Sequence, residues 1–267
     1  MKTTDEIISL TDPGEIGRAE QNRGDRFVVW ASNVFAWIFP ILMLAICAQI
    51  VMRQAGSNQA WLDDLQWWLY GAAVLIGVAY AVTTNSHVRV DIFYDKFPDA
   101  KKTKVEIFAL AWLFLPFIIL SWDVTFGYAY SSVVANEGSD SPNGLHKLWL
   151  LKVFLNLSFI FIGIAIWSAY VRYLSRLTRP TLFKQLFWAF PSTMFLVNLI
   201  IYYALFGVSF ATRADDATWR DVLKQPVFGE AEIGPWEIKY TIVITLVVTI
   251  LLLIVAKLLE RRASNEG

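Results

Sequence analysis

The sequence predicts an all-α integral membrane protein with about six transmembrane helices. Hydrophobic residues make up 56% of the 267 residues and charged residues only 17%, whereas soluble domains are about one quarter charged. The apolar residues form runs long enough to cross a hydrocarbon layer of about 30 Å at about 1.5 Å per residue. Because the formal net charge is zero, the chain has no overall basic field that would attract nucleic acid, and we expect no nucleic-acid partner.

The first span is predicted over Phe27–Met52, after a polar tail at residues 1–26. The tail does not resemble a cleavable secretory signal, since the apolar run that follows is too long and no small-residue cleavage site ends it. Pro40 lies in the middle of the span and lacks the backbone N–H that a helix needs. We therefore expect a kink in span one.

An amphipathic segment precedes the second span. Its apolar residues repeat at helical spacing on one face, namely Trp61, Leu62, Leu65, Trp68 and Leu69. Its polar residues fall on the other face, namely Asp63, Asp64 and Gln66. This pattern is typical of a short helix at the level of the lipid headgroups, and it predicts such a helix before span two at Trp67–Thr84.

Small residues form a stripe along span two. Ala73, Gly77 and Ala81 recur every four residues, a spacing that allows a second helix to approach closely. The alternative is ordinary alanine and glycine content with no partner at that face. We interpret the stripe as a packing surface.

A polar elbow follows span two, with His87, Arg89 and Asp91 alternating with apolar residues. One interpretation is a solvated connector whose apolar side chains touch the membrane surface. The other is a docking surface for a partner on the cytoplasmic side. The pattern alone does not separate the two.

Spans three and four are predicted over Val105–Tyr130 and Leu148–Tyr173, joined by a polar loop at Ser131–Lys147. Asp123 lies within span three, where a carboxylate is costly and is by default a functional candidate. The alternative is a position near the outer interface, wetted or hydrogen-bonded locally. An interhelical ion pair with Lys152, at the start of span four, is a third arrangement.

The chain continues with spans five and six at Leu182–Ala211 and Tyr240–Leu259, connected by an acidic segment at Thr212–Lys239. If the N-terminus is cytoplasmic, sixteen of the 23 lysines and arginines fall on the cytoplasmic side and seven on the other. Positive residues are enriched in cytoplasmic segments. This bias predicts that both termini, including the tail at residues 260–267, are cytoplasmic.

The residues that usually carry chemistry are sparse. The only two histidines, His87 and His146, are predicted at opposite ends of the spans and so cannot be paired axial ligands of one haem. The sequence has no phosphate loop, nucleophile elbow or zinc-ligand spacing, and its single cysteine, Cys47, excludes an intrachain disulfide. We expect no catalytic residue, metal or cofactor, and hence no enzyme.

Several of these segments together resemble a known family. The run Trp61-Leu-Asp-Asp-Leu65, the Gly-Ala-Ala at Gly71, the elbow His87-Val-Arg-Val-Asp91 and Phe97-Pro98 resemble the DctQ-like small membrane subunit of tripartite ATP-independent periplasmic (TRAP) transporters. The family usually has two glutamates where this chain has Asp63 and Asp64. The loop that begins at Glu137, with Trp149 and Lys152, resembles the longer mannitol/chloroaromatic subgroup.

The resemblance covers about residues 27–176, and it implies a domain organisation. Residues 27–176 would be a four-helix DctQ-like core, and residues 177–259 an additional two-helix membrane hairpin with a periplasmic loop at 212–239. The location implied is the bacterial inner membrane. The last two spans exceed the usual four-helix pattern of the family.

The resemblance also implies a role. The small subunit would be a scaffold beside a large DctM-like membrane subunit, which binds substrate and sodium and moves like an elevator. A periplasmic substrate-binding protein would deliver the substrate, typically an organic acid. The candidate contacts with the partner subunit are Asp63, Asp64, Trp67, Ala73, Gly77, Ala81, His87, Arg89 and Asp91.

Two other functions remain open at this point. A stand-alone carrier or channel would use intramembrane polar groups such as Asp123 and Lys152, although carriers usually show broken helices and paired polar sites near the membrane midplane. A membrane redox subunit would need haem ligands and is the least favoured class.

Overall fold

The computed structural model describes residues 18–87, 94–212, 219–233 and 236–265. Six helical segments among these residues are long and apolar enough to cross a membrane, which confirms the predicted class. They are Arg23–Gln54, Ala60–Thr84, Asp99–Val134, Trp149–Leu177, Phe190–Ala211 and Tyr240–Arg262. The chain divides into two compact units, Met1–Thr178 and Arg179–Gly267.

The first span consists of α1 (Arg23–Phe35) and α2 (Ile38–Gln54), with a turn between them. The break lies one helical turn before Pro40, which has no N–H to donate to the carbonyl of Ala36. That carbonyl instead accepts from the Phe39 N–H at 3.1 Å. The predicted kink is thus present, and it is displaced from the proline by one turn.

The second span is a single helix of 25 residues, α3 (Ala60–Thr84). The prediction of a separate interfacial helix before it is wrong, because the acidic, aromatic segment forms the first turns of the same helix. No proline or glycine interrupts Ala60–Tyr70, so nothing in the backbone forces a break. Asn85 caps the C-terminal end of the helix, and its φ of 57° is left-handed, a conformation that asparagine tolerates better than most residues.

The third span contains α4 (Asp99–Phe108), a π-helical turn (Ala109–Phe114) and α5 (Leu115–Val134). In the π turn the Leu115 N–H bonds to the carbonyl of Leu110, five residues back. The turn directly precedes Pro116, where the regular hydrogen-bond ladder cannot continue. The fourth span is α6 (Trp149–Leu177), a helix of 29 residues.

Helix α6 is the centre of the first unit, since it packs against α1, α3, α4 and α5. The apolar part of its contact face is almost inaccessible to solvent, and consists of Ile162, Ala165, Ile166, Ala169, Tyr170 and Leu174. Alanines at two of these positions allow neighbouring backbones to approach closely, which is how helices pack in membranes.

The second unit is a helical hairpin with a small structured connection. Its helices are α7 (Leu182–Trp188), α8 (Phe190–Ala211), α9 (Trp219–Val222) and α10 (Tyr240–Asn265). Two antiparallel strands, β1 (Glu230–Ile233) and β2 (Trp236–Lys239), pair with Glu230 opposite Lys239 and Ile233 opposite Trp236. Strand β2 leads directly into α10, so the predicted acidic connection contains local structure.

A break at Ala189 divides the predicted fifth span into α7 and α8. Pro191 follows two residues later and cannot complete the helical ladder, which accounts for the break. Beyond it, α8 and α10 are joined by a hydrogen bond from Thr245 Oγ1 to Asn198 Oδ1 at 3.1 Å. Thr241, Thr245 and Thr249 are buried at four-residue spacing and form the polar stripe of α10.

Candidate functional site

The two acids at the start of α3 bind different elements. The Gln49 side-chain amide on α2 donates to Asp63 Oδ1 and accepts from the Gln66 amide. Arg53 lies 3.7 Å from the same carboxylate oxygen, and both side chains are largely exposed, so this ion pair contributes little. Asp63 therefore joins the beginning of α3 to the end of α2, through an almost buried glutamine.

Asp64 holds the loop between α5 and α6. Its Oδ2 accepts from the Leu145 N–H at 2.9 Å, and the Leu145 carbonyl accepts from the Ser139 N–H at 2.9 Å. A Cβ added at Gly144 would lie 2.5 Å from Ser139 Cβ and 2.6 Å from Asp64 Oδ2, so glycine permits this close approach. Adjacent residues of a helix point about 100° apart, which is why the two acids reach different elements.

Glu137 holds the same loop from its other end. Its Oε2 accepts from Lys152 Nζ at 2.5 Å and from Ser132 Oγ at 2.6 Å. The hydrogen bond from Lys152, followed by that from Ser132, lowers the pKa of the Glu137 carboxyl below its ordinary value. The Lys152 ammonium also lies 3.9 Å from the centroid of the Tyr128 ring. The contacts at Asp63, Asp64 and Glu137 form one set, called here the acid-pair junction.

Lys152 is therefore paired with a carboxylate other than the one considered from the sequence. Its ion-pair partner is Glu137 in the loop, whereas Asp123 lies half-buried within α5. The polar link between α5 and α6 near Asp123 comes from Asn156, whose amide donates to the Trp122 carbonyl at 2.8 Å and to Thr125 Oγ1 at 2.9 Å. Asp123 stays a candidate intramembrane polar group, with a functional role and a local arrangement near the outer interface as its two remaining alternatives.

A second polar cluster lies at the other end of α3, and sequence reasoning missed it. Arg172 on α6 pairs with the fully buried Asp25 of α1 at 2.8 Å, and donates to the Thr83 carbonyl of α3 at 2.9 Å. One guanidinium thus joins three helices. We call this cluster, with Asn22, Gly24 and Ser168, the arginine junction.

The N-terminal cap of α1 completes the arginine junction. Asn22 accepts from the backbone of Gly24 and Asp25 in a capping box, and its amide donates to the Ser168 carbonyl at 2.9 Å. A Cβ at Gly24 would lie 2.6 Å from Ser168 Oγ, so glycine permits this close approach. The capping-box spacing before an apolar run was the sequence signal that could have identified this end of α1. Arg172 entered the sequence analysis only in the count of lysines and arginines that predicts the membrane orientation.

The predicted stripe on α3 is only partly a packing surface within the chain. Ala73 is buried, while Gly77 is exposed and no atom lies within 4 Å of a Cβ added there. The face that α3 buries consists of Leu62, Ala72, Ala73, Ile76, Ala79 and Thr83. Gly77 instead shares an open face with Trp67, Tyr70 and Val74, whose side chains are 71%, 54% and 48% exposed.

The polar elbow is described only at its first residue. His87 is exposed, and Arg89 and Asp91 lie outside the described residues. The interpretation of this elbow as a docking surface stays a prediction.

The fold is thus that of a multi-pass helical membrane protein whose polar clusters join its own helices. Among the described residues, no three histidine, cysteine, aspartate or glutamate side chains are grouped so that they would hold a metal ion. No curated protein and no solved structure matches the chain. The family model described as "Tripartite ATP-independent periplasmic transporters, DctQ component" matches residues 42–176.

The chain belongs to this DctQ family, as its resemblance predicted, and is a small subunit of a TRAP transporter. The matched region contains the acid-pair junction, the open face of α3 and Arg172. The assignment to the mannitol/chloroaromatic subgroup stays a prediction.

Proposed function

We propose that this subunit is a scaffold that anchors the large TRAP membrane subunit. In this proposal the large subunit binds sodium and an organic acid and moves during import, while a periplasmic binding protein delivers the substrate. The small subunit lies in the bacterial inner membrane with both termini in the cytoplasm. It has no catalytic role.

The use of its polar groups supports a scaffold role. Asp25 and Arg172 join α1, α3 and α6, and Asn156 joins α5 to α6. Such interhelical bonds stabilise a fixed bundle in a membrane, whereas a carrier needs polar groups directed at a solute. The described polar contacts thus favour a rigid element beside a moving one.

The open face of α3 is the observation that carries the proposal. This face contains an exposed tryptophan, Trp67, and a glycine, Gly77, which leaves room for another helix to approach closely. A small residue on an exposed helix face allows backbones of two subunits to come together. We assign this face, and with it the end of the stripe at Ala81, to the large subunit.

The test is co-purification from cells that express this subunit with its large subunit and binding protein. Gly77→Leu is expected to reduce recovery on a tagged large subunit at least about fivefold, because the leucine side chain fills the approach space. Substrate uptake is expected to fall with it.

Gly127→Leu is the matched control. Gly127 is also an exposed glycine of a span, in α5, with no atom within 4 Å of an added Cβ. Its variant is expected to assemble and transport normally. Normal assembly of Gly77→Leu would show that the large subunit does not contact α3 at this face, and equal loss in both variants would show that the effect is not specific to this face.

A further inference from the structure

The second unit contains a cationic cluster where α7 meets the last turns of α10. Glu260 is the carboxylate of this cluster; it accepts from Thr181 Oγ1 at 2.9 Å and pairs with Lys257 at 2.9 Å. The Lys257 ammonium lies 4.6 Å from the centroid of the Phe183 ring. These contacts hold α7 against the end of α10.

The cluster has a surplus of positive charge. Residues 179–188 and 257–262 contain five cations, Arg179, Lys184, Lys257, Arg261 and Arg262, but one carboxylate. Glu260 is already bound by Thr181 and Lys257, and the side chains of Arg179, Arg261 and Arg262 are exposed. A bound anion would neutralise this surplus charge.

The depth of the cluster indicates which kind of anion. The apolar run of α10 ends at Leu259, and Glu260, Arg261 and Arg262 follow it directly, as charged residues do where a span leaves the hydrocarbon. Beside them, α7 exposes Leu182, Phe187 and Trp188, at 54%, 54% and 38%. A surface that places cations next to exposed apolar and tryptophan side chains matches the boundary between lipid headgroups and acyl chains.

We propose that this cluster binds the phosphate headgroup of an anionic phospholipid. Arg179, Arg261 and Arg262 neutralise the phosphate, and the acyl chains pack beside Phe187 and Trp188. A soluble anion would satisfy the charges but would leave these apolar side chains in water. The site is independent of the proposed contact between α3 and the large subunit.

The fluorescence of Trp188 tests the proposal at the site itself. The full-length protein is reconstituted into vesicles of phosphatidylcholine and phosphatidylglycerol, with acyl chains of one or the other lipid brominated to quench tryptophan. Because the chain has 12 tryptophans, the signal of Trp188 is taken as the difference from the Trp188→Phe variant. Phosphatidylglycerol is expected to quench Trp188 in preference to phosphatidylcholine.

Arg261→Gln/Arg262→Gln is expected to lower this preference at least about fivefold, since each cation near the surface contributes appreciably to attraction of anionic lipid. Arg261→Lys/Arg262→Lys is expected to retain it. The control, Lys224→Gln/Lys239→Gln, removes two charges from the connection between α8 and α10 and is expected to change nothing. Equal quenching by the two lipids, an unchanged preference in the glutamine variant, or displacement by inorganic phosphate at constant ionic strength would overturn the assignment.

Discussion

Arg172 determines the packing of the first unit at one end of α3, since it binds a carboxylate of α1 and a carbonyl of α3 together. Asp25 is fully buried and Arg172 is about nine-tenths buried. A buried pair is not in itself strongly stabilising, but removal of one partner leaves an uncompensated charge. Removal of one of the two side chains should therefore cost more stability than removal of both.

Arg172→Met is expected to lower the free energy of unfolding by about 3–5 kcal/mol, and Asp25→Asn/Arg172→Met to recover part of that loss. The measurement is unfolding of the purified protein in mild detergent titrated with a denaturing one. Arg176→Met serves as control, because its pair with Glu20 is exposed and its loss should cost less than about 1 kcal/mol. A double variant as unstable as Arg172→Met would contradict the account of an unpaired buried charge.

Among the connections between helices, the segment at residues 135–148 shows how side chains can order a polar loop. Asp64 binds its second half and Lys152 binds Glu137 in its first half. Because the pKa of Glu137 is lowered in the folded protein, its stabilisation is complete above the ordinary glutamate pKa of about 4.3. It is lost as the pH falls through the lowered pKa of the folded state.

We expect hydrogen exchange in this loop to accelerate several-fold as the pH falls below about 4, after correction for the intrinsic exchange rate. Glu137→Gln should exchange faster at neutral pH and lose this dependence, since it has no carboxylate to titrate. Asp140→Asn, an exposed change in the same loop, should keep it. A loop whose exchange is insensitive to pH in the parent protein would show that Glu137 does not hold it.

For the whole molecule, the distribution of lysine and arginine predicts the orientation in the membrane. Ser57 lies between α2 and α3, and Ser175 lies near the end of α6; both are exposed. In a Cys47→Ser background, Ser57→Cys should react with a membrane-impermeant thiol reagent in intact spheroplasts. Ser175→Cys should react only after the membrane is permeabilised, and the reverse pattern would invert the proposed topology.

The membrane class, the six spans and the family followed from the sequence, because hydrophobic length is a local property of each segment and the motifs of α3 are contiguous. The kink near Pro40 was predictable for the same reason. The break before Pro191 shows that a proline can also end a helix. Whether a proline kinks a helix or ends it depends on the packing around it. The continuous α3 was missed because an amphipathic first turn and an apolar span can share one backbone helix.

Only the tertiary structure decided which distant side chains meet. Asp25 and Arg172 are 147 positions apart, and nothing in either local pattern identifies the other. The sequence suggested Asp123 as a partner of Lys152, but the path of the loop brings Glu137 to it instead. Likewise Gly77 and Ala73 belong to one stripe in the sequence, but the packing of α3 against the other helices of the first unit buries Ala73 and leaves Gly77 open. Hydropathy depends on composition along the chain, whereas these pairings depend on how the helices are rotated and placed against each other.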